Sequence, residues 1–463
     1  MSKFRRLLAL LVIITIPVFV GANRCSLFGG EELPPVTLEV WGVFDDEQTL
    51  KPFINEFQDL YPNIQVVYTQ RSVDTYETDI LNEFAAGRGP DVWMVHNTWL
   101  PKHQDKIRPF TAEELPVNVY QNIFADIAVS DLTANGQVYA IPAYIDSMAL
   151  IYNRDILQSA GYANPPSTWL EFDGMIKNIT RYDNIGNITR SGAALGTAQN
   201  VNRAADMISL LMLQTGVTMT NDAKTQALFS ETDRTVSPER NRGVEALTFF
   251  TNYANPSKSS FTWDLSQDNS IDAFIAGKTA MIFNYSYALG VIKERAPRLN
   301  VSVAEMPQLD ETGGARITFA NYWALAMAQN TDAANEANMF IQFLAGNNAE
   351  ALGQAQDGSP LGQEVNKRYL ETFQRPSARR DLIETQQQTD ANLGPFAKQN
   401  LVARTWYIVD DASYESIFND MIDDVILGRL TIADSLKKAS DRYTQILKDT
   451  LDNRERAGLN GNI

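Results

Sequence analysis

The chain is poor in the residues that carry most covalent and metal chemistry. It has a single cysteine, Cys25, so an intrachain disulfide is excluded. Its two histidines, His96 and His103, have no cysteine near them and are badly spaced for a zinc site. They read as surface or polar-loop side chains. Basic residues are few, with 39 Lys and Arg against 56 Asp and Glu, and the formal net charge is −17. No basic run offsets that balance. Such a surface repels nucleic acid and anionic membranes, so nucleic acid is not expected as a partner. Gly-x-Ser-x-Gly, His-Glu-x-x-His, P-loop and Gly-x-Gly-x-x-Gly motifs are also missing. No catalytic residue, cofactor or metal site is therefore expected. Repeats of solenoid period and long low-complexity tracts are missing too.

The N-terminus, by contrast, is distinctive. Lys3-Phe-Arg-Arg6 is a basic leader, and Leu7 to Ala22 is an almost unbroken apolar run. The run is short for a membrane span, which needs about 20 residues, and the arrangement is that of an export signal. Three endings are open. Cys25 stands where a lipoprotein cysteine would, although Arg24 precedes it where a small residue is usual. Val20-Gly21-Ala22 offers a cleavage site for a free secreted protein, and an uncleaved anchor is the third option. In each case the body lies outside the cytoplasm, at the cell surface or in a periplasm, with membrane attachment expected. Residues 1–24 are thus signal peptide or anchor, and residues 25–35 a tether.

The 463 residues suit two or three domains. Val36 to Trp41 alternates like a strand, and Leu50, Phe53, Ile54, Phe57 and Leu60 have helical spacing up to Tyr61-Pro62. Ile64 to Tyr68 reads as a strand, Tyr76 to Ala86 as a helix and Asp91 to Val95 as a strand. That order predicts a parallel sheet flanked by helices. Asn135-Gly136 predicts a hairpin with Val138 to Ile141 returning. Further strands are expected at Leu150 to Tyr152, Thr279 to Phe283, within Val301 to Met306 and within Ile317 to Ala328. A helix should start near Trp169. Residues 142–147, 283–288 and the stretch from Gly313-Gly314 to Asn321 read as chain crossings, which would let two lobes hinge around a ligand.

Eight short motifs occur in order along the mature chain. They include Leu38-Glu-Val-Trp-Gly42, Phe57-Gln-Asp-Leu-Tyr-Pro-Asn-Ile-Gln-Val66, Gly87-Arg-Gly-Pro-Asp-Val92 and Gly136-Gln-Val-Tyr-Ala-Ile-Pro142. Leu150-Ile-Tyr-Asn-Arg-Asp155, Pro166-Ser-Thr-Trp169, Phe274-Ile-Ala-Gly-Lys-Thr-Ala-Met281 and Gly428-Arg-Leu-Thr431 complete the set. Together they resemble the family 1 extracellular solute-binding proteins, the group that includes maltose-binding protein. The resemblance implies an α/β, two-lobed periplasmic-binding-protein-like fold of type II, each lobe a sheet flanked by helices. It also implies the substrate-binding component of an ABC importer, monomeric, delivering a small solute, expected to be a carbohydrate, to permease subunits. The expected partition is 36–143 with 284–316 in lobe one, and 144–283 with 317–463 in lobe two.

A sugar has a polar rim and apolar C–H faces, so aromatic rings beside carboxylates, amides and arginine suit it. Such residues collect at strand ends and expected crossings, where ligands of open α/β sheets bind. The expected contacts are Trp41, Phe44, Asp45, Asn97, Trp99, Tyr144, Asp146, Asn284, Tyr285, Tyr322, Trp323, Arg404 and Trp406. Asp45, Asp46 and Glu47 together read more as a solvated helix cap than as a full ligand set. Trp93 and Trp169 read as core, Asp91 as a structural turn residue, and Trp263 fits either place. Two alternatives stay open: a non-sugar solute on the same fold, and a secreted carbohydrate-active enzyme using two of the many carboxylates.

Overall fold

The structure is a computed structural model that describes residues 33–309, 315–347 and 361–456. The export segment, Cys25 and Gly313-Gly314 lie outside those residues, as does part of the tether. The chain opens with strand β1 (Val36–Gly42), helix α1 (Glu47–Leu60), strand β2 (Ile64–Gln70), helix α2 (Tyr76–Ala85) and strand β3 (Val92–His96). β4 (Ile107–Arg108) and β5 (Ala140–Ile141) follow. β1 runs parallel to both β2 and β3, with helices α1 and α2 as the crossover connections. β3 is buried along its whole length because both faces of the sheet are covered. Asp46 caps α1 by accepting from the Thr49 amide, and Leu50, Phe53, Ile54 and Phe57 seal the helix to the sheet. Asp91 is structural, its carboxylate tying Glu39 N to the Thr331 hydroxyl.

The second region contains β6 (Ala149–Asn153), α3 (Trp169–Ile179), α4 (Ala204–Gln214), α5 (Arg242–Asn252), β7 (Met281–Asn284), β8 (Val301–Ala304) and β9 (Thr318–Phe319). β6 sits between β7 and β8, antiparallel to each. A capping box of Thr168 and Glu171 starts α3. The chain then returns as β10 (Trp323–Ala328), which inserts between β3 and β4 and also pairs with β5. α6 (Ala334–Leu344), α7 (Leu361–Phe373) and α8 (Arg380–Thr389) follow it. β11 (Ala403–Arg404) pairs with β9, and α9 (Asp411–Ile426) and α10 (Ile432–Arg456) end the described chain. None of the described helices is long and apolar enough to cross a membrane.

Two separate buried clusters define two lobes. They regroup the expected partition. Residues 284–316 were expected in lobe one, but Asn284 pairs with Ala149 and Val301 with Asn153 in the second sheet. Residues from 317 onward were expected in lobe two, yet Trp323 to Met327 pair with β3, and Phe340 and Tyr369 pack in the first core. The crossing at 142–147 is present, between β5 and β6. The stretch 283–288 does not cross, because Ser286 stays in the second lobe, where its amide and hydroxyl donate to Asp146 of the first crossing. The return crossing runs through Ala320 to Tyr322, and a third lies between Leu382 of the first core and Leu393 of the second. The expected hairpin forms with positive φ at Asn135 and Gly136, but Ala140–Ile141 leaves it to join β10.

Candidate functional site

A cavity of about 430 Å³ lies where the lobes meet. Its first-lobe wall is an aromatic cluster. Gly42 ends β1 under the Tyr68 ring, where a Cβ would come within 2.2 Å of the phenol oxygen. The turn that follows presents Phe44, which meets the Trp323 ring edge-on at 5.6 Å. Tyr76, His96 and Trp99 hold the other sides of Trp323 at 5.8, 5.3 and 5.0 Å. Each such ring pair contributes roughly 0.5–1.5 kcal/mol beyond area burial, so the half-buried Trp323 face is presented by a rigid stack. Tyr144, on the crossing, lies beneath the Arg375 guanidinium at 4.8 Å.

The second-lobe wall is polar. Asp206, in the first turn of α4, accepts from the hydroxyls of Tyr285 at 2.8 Å and Tyr414 at 3.2 Å. Burial pushes its carboxyl up, against the opposing pull of Arg203. Burial also pushes Asp146 up to about 6, only partly countered by its bonds from Ser286. Glu415 completes this side, raised by burial.

The two walls are tied together at Asp411, the first residue of α9. Its carboxylate accepts from the Thr98 hydroxyl, from Trp99 Nε1 at 2.9 Å and from His96 Nδ1 at 3.0 Å. The other ring nitrogen, His96 Nε2, faces Asn321 Oδ1 at 3.1 Å. An acceptor at each ring nitrogen favours the protonated imidazole. Burial alone would lower the His96 pKa; the Asp411 charge and the bonds to Asp411 and Asn321 outweigh it and raise it. Next to this, Lys102 bridges Glu77 of its own lobe and Asp410 of the other, each at 2.7 Å.

Of the expected contacts, Phe44, Tyr144, Asp146, Tyr285, Tyr322 and Trp323 line the cavity. Tyr322 turns its hydroxyl away, toward Asp131. The other seven do not line it. Trp41 is buried beneath the Arg71 guanidinium, 3.7 Å from the ring centre. Asp45 is buried and accepts from Tyr369. Asn97 is consumed in bonding Asp131 and the Tyr322 amide. Trp99 backs Trp323 rather than facing the space. Asn284 is fully buried and accepts from the Tyr285 amide. Arg404 is exposed on the β11 edge, and Trp406 packs against Phe229, Tyr414 and Tyr443 in the second core. Trp93, Trp169 and Trp263 are all core.

His96 and His103 are corrected from surface to buried positions. His96 lines the cavity, and His103 meets Glu77 at 2.7 Å. Arg203, Asp206, Arg375, Asp411, Tyr414 and Glu415 were missed. Asp206 had a usable signal, one acid inside the apolar run Ala204 to Leu213, which demands a buried partner.

Residues 41–351 match the model of the bacterial extracellular solute-binding protein family. A multiple sugar-binding protein of Streptococcus mutans is 24% identical over 68% of this chain and 72% of its own. A maltotriose-binding protein of Pyrococcus abyssi is 22% identical over 58% of this chain and 52% of its own. Among solved structures, the sugar-binding protein MalE of Xanthomonas citri superposes with a TM-score of 0.71 at 18% identity, covering 92% of this chain and all of that one. A cyclo/maltodextrin-binding protein complexed with maltotetraose gives 0.70 at 19% identity, covering 90% of this chain and 99% of that one.

Proposed function

The chain belongs to the bacterial extracellular solute-binding proteins, and from that premise we propose that it captures a carbohydrate of oligosaccharide class between its lobes and delivers it to an ABC permease. The observation that carries the reading is the pairing of walls. The half-buried Trp323 with Phe44 offers apolar faces, while Tyr285, Asp146, Arg203 and Arg375 offer hydroxyl-bonding groups from the opposite side and the crossings. A sugar ring needs that combination, stacking on its C–H faces and hydrogen bonds around its rim. Relatives named for multiple sugars and for maltotriose, and a fold neighbour holding maltotetraose, support the same class.

Capture is a binding event without turnover. The ligand bridges the lobes, and the Asp411 contacts close with it, so the permease meets a loaded, shut protein. The body acts outside the cytoplasm, as the family does, and works as a monomer. Attachment is through a lipid on Cys25 or through the N-terminal segment kept as an anchor. Replacing Cys25 by alanine should release the protein from membranes or block its processing; unchanged partition and mass would leave secretion or an uncleaved anchor.

The function is tested by a thermal-shift screen of mono- and oligosaccharides, amino acids and polyamines. A true ligand at 100 times its Kd adds about 2.7 kcal/mol of stability. A response confined to amino acids or polyamines would replace the sugar, and conversion of the sugar to products would replace transport with catalysis.

A further inference from the structure

A second groove, of about 570 Å³, opens on the second lobe and shares Arg203, Tyr287 and Glu415 with the cleft. Each space alone falls in the roughly 300–1,000 Å³ range of small-molecule sites. Apart from the shared Tyr287, the groove is lined by side-chain amides: Gln199, Asn202, Asn269 and Asn419.

Arg203 stands at the junction. Its backbone is left-handed, with φ at 61°, which is uncommon for a residue with a side chain. That conformation aims the guanidinium at the rings of Tyr285 and Tyr287, 5.6 Å from each centre. Its side-chain hydrogen bond runs from Nε to the Tyr287 hydroxyl at 3.4 Å, and among the described residues no carboxylate comes within ion-pair distance of it, although Asp206 and Glu415 both feel its charge. Backbone strain of this kind concentrates where a side chain must be held for a ligand.

We propose that the amide-lined groove is a second carbohydrate subsite, entered past Arg203, so that the preferred ligand is a linear oligosaccharide too long for the cleft alone. This rests on the carbohydrate reading of the cleft. Sugar hydroxyls leaving the aromatic wall would accept from the guanidinium and bond the side-chain amides of the groove. Neutral amides serve both directions of hydroxyl bonding.

The test is calorimetric titration of the full chain in mild detergent with ladders from disaccharide to heptasaccharide of α-linked glucose, β-linked glucose, mannose and xylose. Affinity should climb at least about tenfold along the ladder that binds, the sum of a few net hydrogen bonds. Asn419→Ala should cut the ratio of long-chain to disaccharide affinity by about three- to tenfold. Gln199→Ala, at an exposed groove position that the cleft does not share, should cut the same ratio while leaving the disaccharide affinity and the unfolding midpoint unchanged. It keeps the test decisive should Asn419→Ala fold poorly. Flat affinity along the binding ladder, or an unchanged ratio in the folded variants, overturns the groove and leaves the cleft reading intact. Silence from every ladder overturns both.

Discussion

The two walls of the cleft are built from different materials. On the first-lobe side, Trp323 is gripped by Phe44, Tyr76, His96 and Trp99, and ring packing sets its orientation. On the second-lobe side, Asp206, Tyr285, Tyr414 and Arg203 hold one another through hydrogen bonds and charge. Packed rings keep their arrangement over a wide range of pH and salt, whereas a buried polar network depends on the protonation of each member. A bound ring would thus find a fixed platform on one side and an adjustable set of donors and acceptors on the other. His96 belongs to both, touching Trp323 by its face and Asp411 by its Nδ1.

The largest effect should come from taking apart the aromatic wall. Trp99 is buried, stacks on Tyr76 at 6.1 Å and donates to Asp411. Trp99→Ala should cost about 3–5 kcal/mol in urea unfolding. A loss under about 1 kcal/mol would mean the rings are not a packed unit, and the contrast between the walls would fail. Trp323→Ala comes next. It should weaken sugar binding roughly three- to tenfold, with some stability lost as well because four rings touch it. Trp41→Ala is the matched control: its ring lies under Arg71, so stability should fall while affinity in the folded protein stays put.

The contrast sharpens with pH. His96 has its pKa raised in the closed arrangement above its ordinary value near 6.5. Its contribution is then fully present below the open-state value and is lost as pH rises through the closed-state one. Asp411 is lowered, chiefly by the His96 charge against its own burial, and stays ionised throughout. Small-angle scattering should therefore show lobes opening as pH rises above the ordinary imidazole value of about 6.5. Asp411→Asn should flatten that response; a response that survives the substitution would place the titrating group elsewhere. The smallest effect is expected from Asp45→Asn, which alters a bond to Tyr369 away from the cavity and should leave sugar affinity unchanged in the same titration.

Local pattern made the first lobe readable. Alternation in Val36 to Trp41, helical spacing in Leu50 to Phe57 and the punctuation at Tyr61-Pro62 each produced the element observed. The lobe partition was not readable, because β10 reaches β3 across more than two hundred residues and nothing local in Trp323 to Ala328 says which sheet it will join. Strand ends and crossings pointed to Phe44, Tyr144 and Trp323, which the structure places at the cavity. They misled at Trp41, since successive residues of a strand face opposite sides and the sheet hides that one beneath Arg71. Arg375 and Asp411 come from segments far along the chain, so only tertiary folding brings them to the cavity.

One contact lies well away from any sugar. Arg454, near the end of α10, is buried and donates from Nη1 to Pro101 O at 2.8 Å and from Nη2 to Gln104 Oε1 at 3.0 Å, joining the second lobe to the first. Together with the Lys102 bridge to Asp410, it favours the arrangement of lobes described above without meeting the ligand. The measured affinity of a hinged receptor is its intrinsic affinity scaled by the fraction of molecules already competent to bind. A contact from the last described helix can therefore tune how scarce a nutrient the cell is able to harvest, while the recognition chemistry in the cleft stays the same.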